Sequence, residues 1–85
     1  MQKTIHSTGH IALCEALIAA RKAADLTQQE LAQKLRCQQS KIARIESGQR
    51  RIDIVELIIW CRTVKADPQD ILVKIEAGVD DDERL

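Results

Sequence analysis

The run Gln39-Ser40-Lys41-Ile42-Ala43-Arg44-Ile45-Glu46-Ser47-Gly48 carries amide, hydroxyl and guanidinium groups on one side of a short helix and two isoleucines on the other. At about 100° per residue, Ile42 and Ile45 fall within about 60° of one another and mark an inward edge. Ser40, Ala43, Arg44 and Ser47 fall on the opposite side, with Gln39 at the exposed N-terminal end and Lys41 on a flank. Groups of this size suit the edges of base pairs in a DNA major groove. A glutamine can meet adenine through two hydrogen bonds, an arginine can meet guanine in the same way, and a small alanine can touch a thymine methyl.

A second cluster suits phosphate. Thr27 and Gln28 stand where another helix begins, and free backbone N–H groups at a helix start, together with an amide side chain, match a phosphate oxygen. Arg50 and Arg51 follow the first run and can hold the DNA backbone from its far side. A single arginine or glutamine on a helix is ordinarily just a solvated side chain; here the weight lies in the whole constellation, in order and at these spacings.

Charge distribution supports this chemistry although net charge is zero. Residues 21–51 hold eight bases (Arg21, Lys22, Lys34, Arg36, Lys41, Arg44, Arg50, Arg51) against three acids (Asp25, Glu30, Glu46), and the rest of the chain is acidic in compensation. Segregation of this kind lets a neutral protein present one positive face. The acidic half should keep non-specific binding modest.

Other chemistries fit poorly. Cys14, Cys37 and Cys61 are odd in number and widely spaced, so they read as reduced thiols filling space rather than as disulfides or a zinc ribbon. His6, His10 and Cys14 lie near one another but lack the usual ligand spacing, so no metal is expected. No Gly-rich phosphate loop, Ser-His-Asp order or paired-carboxylate site points to an enzyme or to a cofactor. No apolar run approaches the ~20 residues that span a bilayer, and the N-terminus lacks the apolar core of a signal peptide, so a cytoplasmic location without membrane contact is expected. Nothing resembles a domain for a small-molecule effector.

The positioning elements can be read from caps and periodicity. Ser7 or Thr8 can cap a first helix running to about residue 24, with Leu13, Leu17, Ala20 and Ala24 on its apolar face. Thr27 caps a second, and Glu30 three residues on completes a capping box. The third covers about residues 38–47 and stops at Gly48. Asp53 caps a fourth, residues 54 to about 65. Asp67 caps a fifth that starts with Pro68 and ends near Ala77-Gly78. No alternating strand pattern or hairpin dipeptide occurs. The expected fold is all-α, a compact five-helix bundle occupying residues 10–78, preceded by an N-terminal segment (1–9) and followed by an acidic, disordered tail (79–85).

Over residues 17–72 the chain resembles the Xre/Cro/CI-type helix-turn-helix family of phage repressors and bacterial regulators. The matching residues are Arg21, Leu26-Thr27-Gln28-x-Glu30-Leu31-Ala32, Gln39-Ser40, Ile42, Ile45-Glu46-x-Gly48 and Asp67-Pro68. The resemblance implies a lambda-repressor-like DNA-binding domain, with helices two and three forming the unit that meets DNA. It implies base contacts from Gln39, Ser40 and Arg44, with Lys41 reaching base or phosphate, and phosphate contacts from Gln28, Ser47, Arg50 and Arg51. It also implies an ion pair between Arg21 and Glu46 that locks the third helix onto the bundle. One departure stands out: the turn position usually taken by glycine is Arg36. A left-handed backbone there would cost a non-glycine residue about 1 kcal/mol or more, so either the turn differs slightly or Arg36 gains a phosphate contact in exchange.

The fourth helix is apolar around most of its circumference, and the fifth adds Ile71, Leu72, Val73 and Ile75. A thick core explains part of this. The remainder predicts a homodimer through the C-terminal helices, with Trp60, Val64 and Val73 at the interface, reading a pseudo-palindromic operator on double-stranded DNA as a repressor. The rival expectation from another class is a protein-interaction module, or the antitoxin of a toxin–antitoxin pair, built on the same bundle.

Overall fold

The computed structural model describes residues 7–85. Among them are five helices and no strand: α1 (Thr8–Ala23), α2 (Gln28–Leu35), α3 (Gln39–Ser47), α4 (Ile54–Val64) and α5 (Pro68–Gly78). Their starts follow from local chemistry. The Ser7 side chain accepts from the His10 amide ahead of α1. Thr27 and Glu30 exchange side-chain and backbone hydrogen bonds at α2, and Asp53 and Glu56 do the same at α4. Each such reciprocal box satisfies two of the amides that a helix start leaves without partners. Asp67 accepts from the Gln69 amide, and Pro68 fills the first helical position of α5.

The α1 start shifts one boundary drawn from sequence. Thr8 and Gly9 belong to the bundle, not to a separate leading segment. They meet the end of α5, where the Thr8 hydroxyl donates to the Gly78 carbonyl. Gly78 is thus required by packing rather than by backbone freedom: a Cβ there would sit 2.7 Å from Ala12 Cβ. One at Gly9 would sit 2.7 Å from Val79 Cγ2, so the first tail residue lies back against α1.

The core is a single cluster to which every helix contributes, with Leu17, Leu31, Ile42, Trp60 and Cys61 fully buried. On α4 the buried set is Leu57, Trp60, Cys61 and Val64. That i, i+3, i+4, i+7 spacing is one helix face. It corrects the expected interface, because Trp60 (1% exposed) and Val64 (6%) are inside the protomer's own core and present no surface to a second copy. Val73 remains outside at 65% exposure, joined by Ile54, Val55, Ile59 and Leu72.

Three helices end on a left-handed residue that is not glycine: Asp25, Arg36 and Lys65, with φ of 65°, 60° and 60°. In each case the next amide returns to a carbonyl five residues back: Leu26 to Arg21, Cys37 to Ala32 and Ala66 to Cys61. The side chain of that next residue then packs on the core. This is the Schellman arrangement, in which an apolar residue just beyond the helix anchors the turn. The anchor overrides the local preference against φ > 0 in residues bearing a Cβ. Lys65→Gly is expected to raise folding stability by about 0.5–1 kcal/mol, because glycine relieves that clash while losing some chain entropy. A urea midpoint that moves down would contradict this account.

Candidate nucleic-acid interface

The interface is built on α2, the turn after it, and α3. Arg36 adopts the left-handed conformation (φ 60°, ψ 45°), so the turn keeps its glycine-type geometry with an arginine in place. Gln38 becomes the N-cap residue of α3 and makes no side-chain cap bond. Gln39 is then the first helical residue, at the leading end. Ile42 and Ile45 are buried at 1% and 3% exposure, and they hold the inner edge of α3 on the core. Gln39, Ser40, Arg44 and Ser47 are exposed and Ala43 is half-buried, which is the outward edge expected from the sequence.

One flank of α3 is tied to α1 and α2 through Glu46. Arg21 Nε donates to Glu46 Oε2 at 2.7 Å, and a second guanidinium nitrogen donates to Oε1 at 3.1 Å. The third donates to the Leu26 carbonyl at 2.7 Å. Both residues are buried, so the pair sits where water screens it little. Gln28 Nε2 also donates to Glu46 Oε1, at 2.9 Å. Glu46 can only accept, which fixes the amide of Gln28 with its nitrogen inward and its oxygen outward. That oxygen accepts from Gln39 Nε2 at 2.7 Å. A continuous hydrogen-bonded path therefore runs from the buried Arg21 guanidinium to the exposed amide at the head of α3. Gln28, expected from the resemblance to meet phosphate, here also orients Gln39.

The opposite flank is tied to α4. Lys41 Nζ lies 3.3 Å from Glu56 Oε2, and Arg50 reaches both carboxylate oxygens at 3.3 Å while also donating to the Arg51 carbonyl at 2.8 Å. The Asp53 amide donates to the same carboxylate at 3.1 Å. Hydrogen bonds from Arg50, then from the Asp53 amide and from Lys41, hold the Glu56 carboxyl well below the usual range, at about 2. Glu56 is thus ionised throughout the neutral range. The sequence reading did not single it out. The available signal was a glutamate three residues after the Asp53 cap, the same box recognised at Thr27 and Glu30.

The remaining positions are quickly placed. Ser47 is exposed and its hydroxyl donates to the Arg44 carbonyl at 3.2 Å. Arg51 is exposed on the connector between α3 and α4. Cys14 and Cys61 are buried, and desolvation pushes both thiols up, Glu46 adding to the effect at Cys14 and Asp67 at Cys61. Cys37 is half-buried at the turn. His10 and Cys14 are buried on α1, and His6 lies outside the described residues. Among the described residues no group of three or more His, Cys, Asp and Glu side chains could hold a metal, and no helix is long and apolar enough to cross a membrane.

A family model described as a helix-turn-helix domain matches residues 12–72. The fold is also similar to a solved structure described as an XRE-family like protein from Pseudomonas syringae pv. tomato. The two share 40% sequence identity and a TM-score of 0.78, over 91% of this chain and 94% of that one. Comparison with curated proteins gives no match. A matched segment that takes in α2, the turn and α3, joined to this likeness over nearly the full length, gives the assignment: the chain belongs to the XRE-type helix-turn-helix family, and with it to a class of DNA-binding regulators.

Proposed function

We propose that this chain is a sequence-specific regulator of transcription, a repressor that reads a pseudo-palindromic operator in double-stranded DNA as a homodimer. The observation that carries the reading is the seating of α3. It is fixed on one flank by Glu46 and Gln28 and on the other by Glu56, while Gln39, Ser40, Arg44 and Ser47 project free of the core. A rigid helix with exposed bidentate donors and acceptors is what direct readout of base edges requires. In this reading Gln39, Ser40 and Arg44 contact bases, with Lys41 beside them. Gln28, Ser47, Arg50 and Arg51 hold the phosphates that set the register.

The homodimer rests on the outer side of the C-terminal helices. Ile54 and Val55 are each 67% exposed, and Ile59, Leu72 and Val73 add to the apolar surface. A domain this small rarely leaves so many branched apolar side chains in water without a partner. Two copies related by a two-fold axis would place their recognition helices about 34–36 Å apart, one turn of duplex. Selecting bound fragments from a pool of random duplexes is expected to enrich an inverted repeat with half-sites about 10 base pairs apart. A pool that stays unenriched would overturn sequence-specific binding. Enrichment of single half-sites, with a monomer in sedimentation at high concentration, would overturn the dimer alone.

A further inference from the structure

We infer that Glu56 is a specificity-determining residue: it withholds Lys41 and Arg50 from the phosphate backbone and so curbs binding to DNA of arbitrary sequence. The inference rests on the DNA-binding function proposed above. It concerns a residue to which neither the family pattern nor the composition of the basic face assigns a role.

The geometry is that of a phosphate site already occupied. Two cations from separate elements, Lys41 on α3 and Arg50 on the connector, converge on one carboxylate oxygen at 3.3 Å each. Arg50 engages the carboxylate with both terminal nitrogens. A phosphate offers the same kind of oxygen pair to the same fork. The carboxylate is held in place from below, because Glu56 is the third residue of α4 and its side chain also closes the Asp53 capping box. It therefore stays with α4 when DNA approaches, whereas Lys41 and Arg50 have long side chains that can turn either way. All three side chains keep partial access to water, which a DNA phosphate would need in order to compete.

The charge balance gives the consequence. The basic stretch owes its positive surplus to eight cations, and two of them share the single negative charge of this acid just outside it. Non-specific affinity grows with each phosphate neutralised, whereas discrimination between sequences is carried chiefly by the base contacts of Gln39, Ser40 and Arg44. Masking Lys41 and Arg50 thus lowers the background more than the specific signal. A seated complex can still recruit them where its fixed register brings phosphates within reach.

Glu56→Gln tests this directly, because glutamine at that position retains the capping box while losing the charge. Binding to a random-sequence duplex is measured by fluorescence anisotropy between 50 and 200 mM salt, with circular dichroism confirming the fold. Freeing two cations is expected to steepen the slope of log K against log salt by about 1.8, so that the variant loses roughly tenfold more affinity than the parent across that range. Adding Lys41→Met to the variant is expected to remove about half of the added slope. An unchanged slope in Glu56→Gln would overturn the inference, and so would an enhancement that survives Lys41→Met in full, which would mark a diffuse field effect. Failure of the parent itself to bind any duplex at 50 mM salt would instead overturn the DNA-binding function on which the inference rests.

Discussion

Glu46→Ala is expected to cost about 3–5 kcal/mol of folding stability, the range found when one member of a buried ion pair is removed and the other charge is stranded. The local geometry supports a value in that range. Arg21 would lose two hydrogen bonds of 2.7 and 3.1 Å and keep only the Leu26 carbonyl, while remaining in a position only 8% exposed. In a domain of this size each kcal/mol moves the melting temperature by about 4–8 °C, so a fall of roughly 12–40 °C is expected in a calorimetric scan. Total stability of small domains is about 5–15 kcal/mol, and the variant should lie near the edge of folding at ambient temperature. A melting temperature within a few degrees of the parent would refute the assignment of Glu46 as the lock on α3.

The same pair allows structure and function to be separated. Replacing both partners together, Arg21→Met with Glu46→Leu, removes the stranded charge and should restore most of the lost stability. It does not restore the acceptor for Gln28. With the inward nitrogen of Gln28 no longer bound, nothing fixes the outward oxygen that positions Gln39. The double variant is therefore expected to fold and yet to read its operator poorly.

How much of this was legible in the chain itself varies with the distance over which each feature is encoded. Helix starts are local, and Thr27 with Glu30, or Asp67 with Pro68, announce themselves within four residues. The inward edge of α3 follows from Ile42 and Ile45 alone. The face of α4 was legible in principle, since Leu57, Trp60, Cys61 and Val64 share one helical stripe. The surrounding isoleucines and valines mask it, which is why the sequence alone points Trp60 and Val64 outward although both lie in the core. The Arg36 turn lay beyond local propensity: its left-handed backbone is imposed by Cys37 docking on the core, a tertiary term that outweighs the preference of arginine. The Gln28–Gln39 bond and the Glu56 clamp were the least accessible. They join residues from different helices through side chains whose orientation only the assembled bundle decides.

Simultaneous replacement of Gln39, Ser40 and Arg44 by alanine is expected to abolish preference for the selected operator while leaving the fold intact. All three side chains are exposed on α3, and none contributes to the core, so the cost to stability should be small. Alanine also favours helix, which offsets any loss at these positions. One bidentate contact from Gln39 and one from Arg44, at about 1–3 kcal/mol of discrimination each, together amount to about 2–6 kcal/mol, a loss of roughly thirtyfold to more than ten-thousandfold in operator preference. Affinity for random duplex should fall far less, because the other cations of the basic stretch, Arg51 among them, lie outside the replaced set and supply charge without reading sequence. The diagnostic is the ratio of the two affinities at one salt concentration. If that ratio is unchanged in a folded variant, α3 is not the reading element, and the exposed amide, hydroxyl and guanidinium on its outer edge are only a solvated surface.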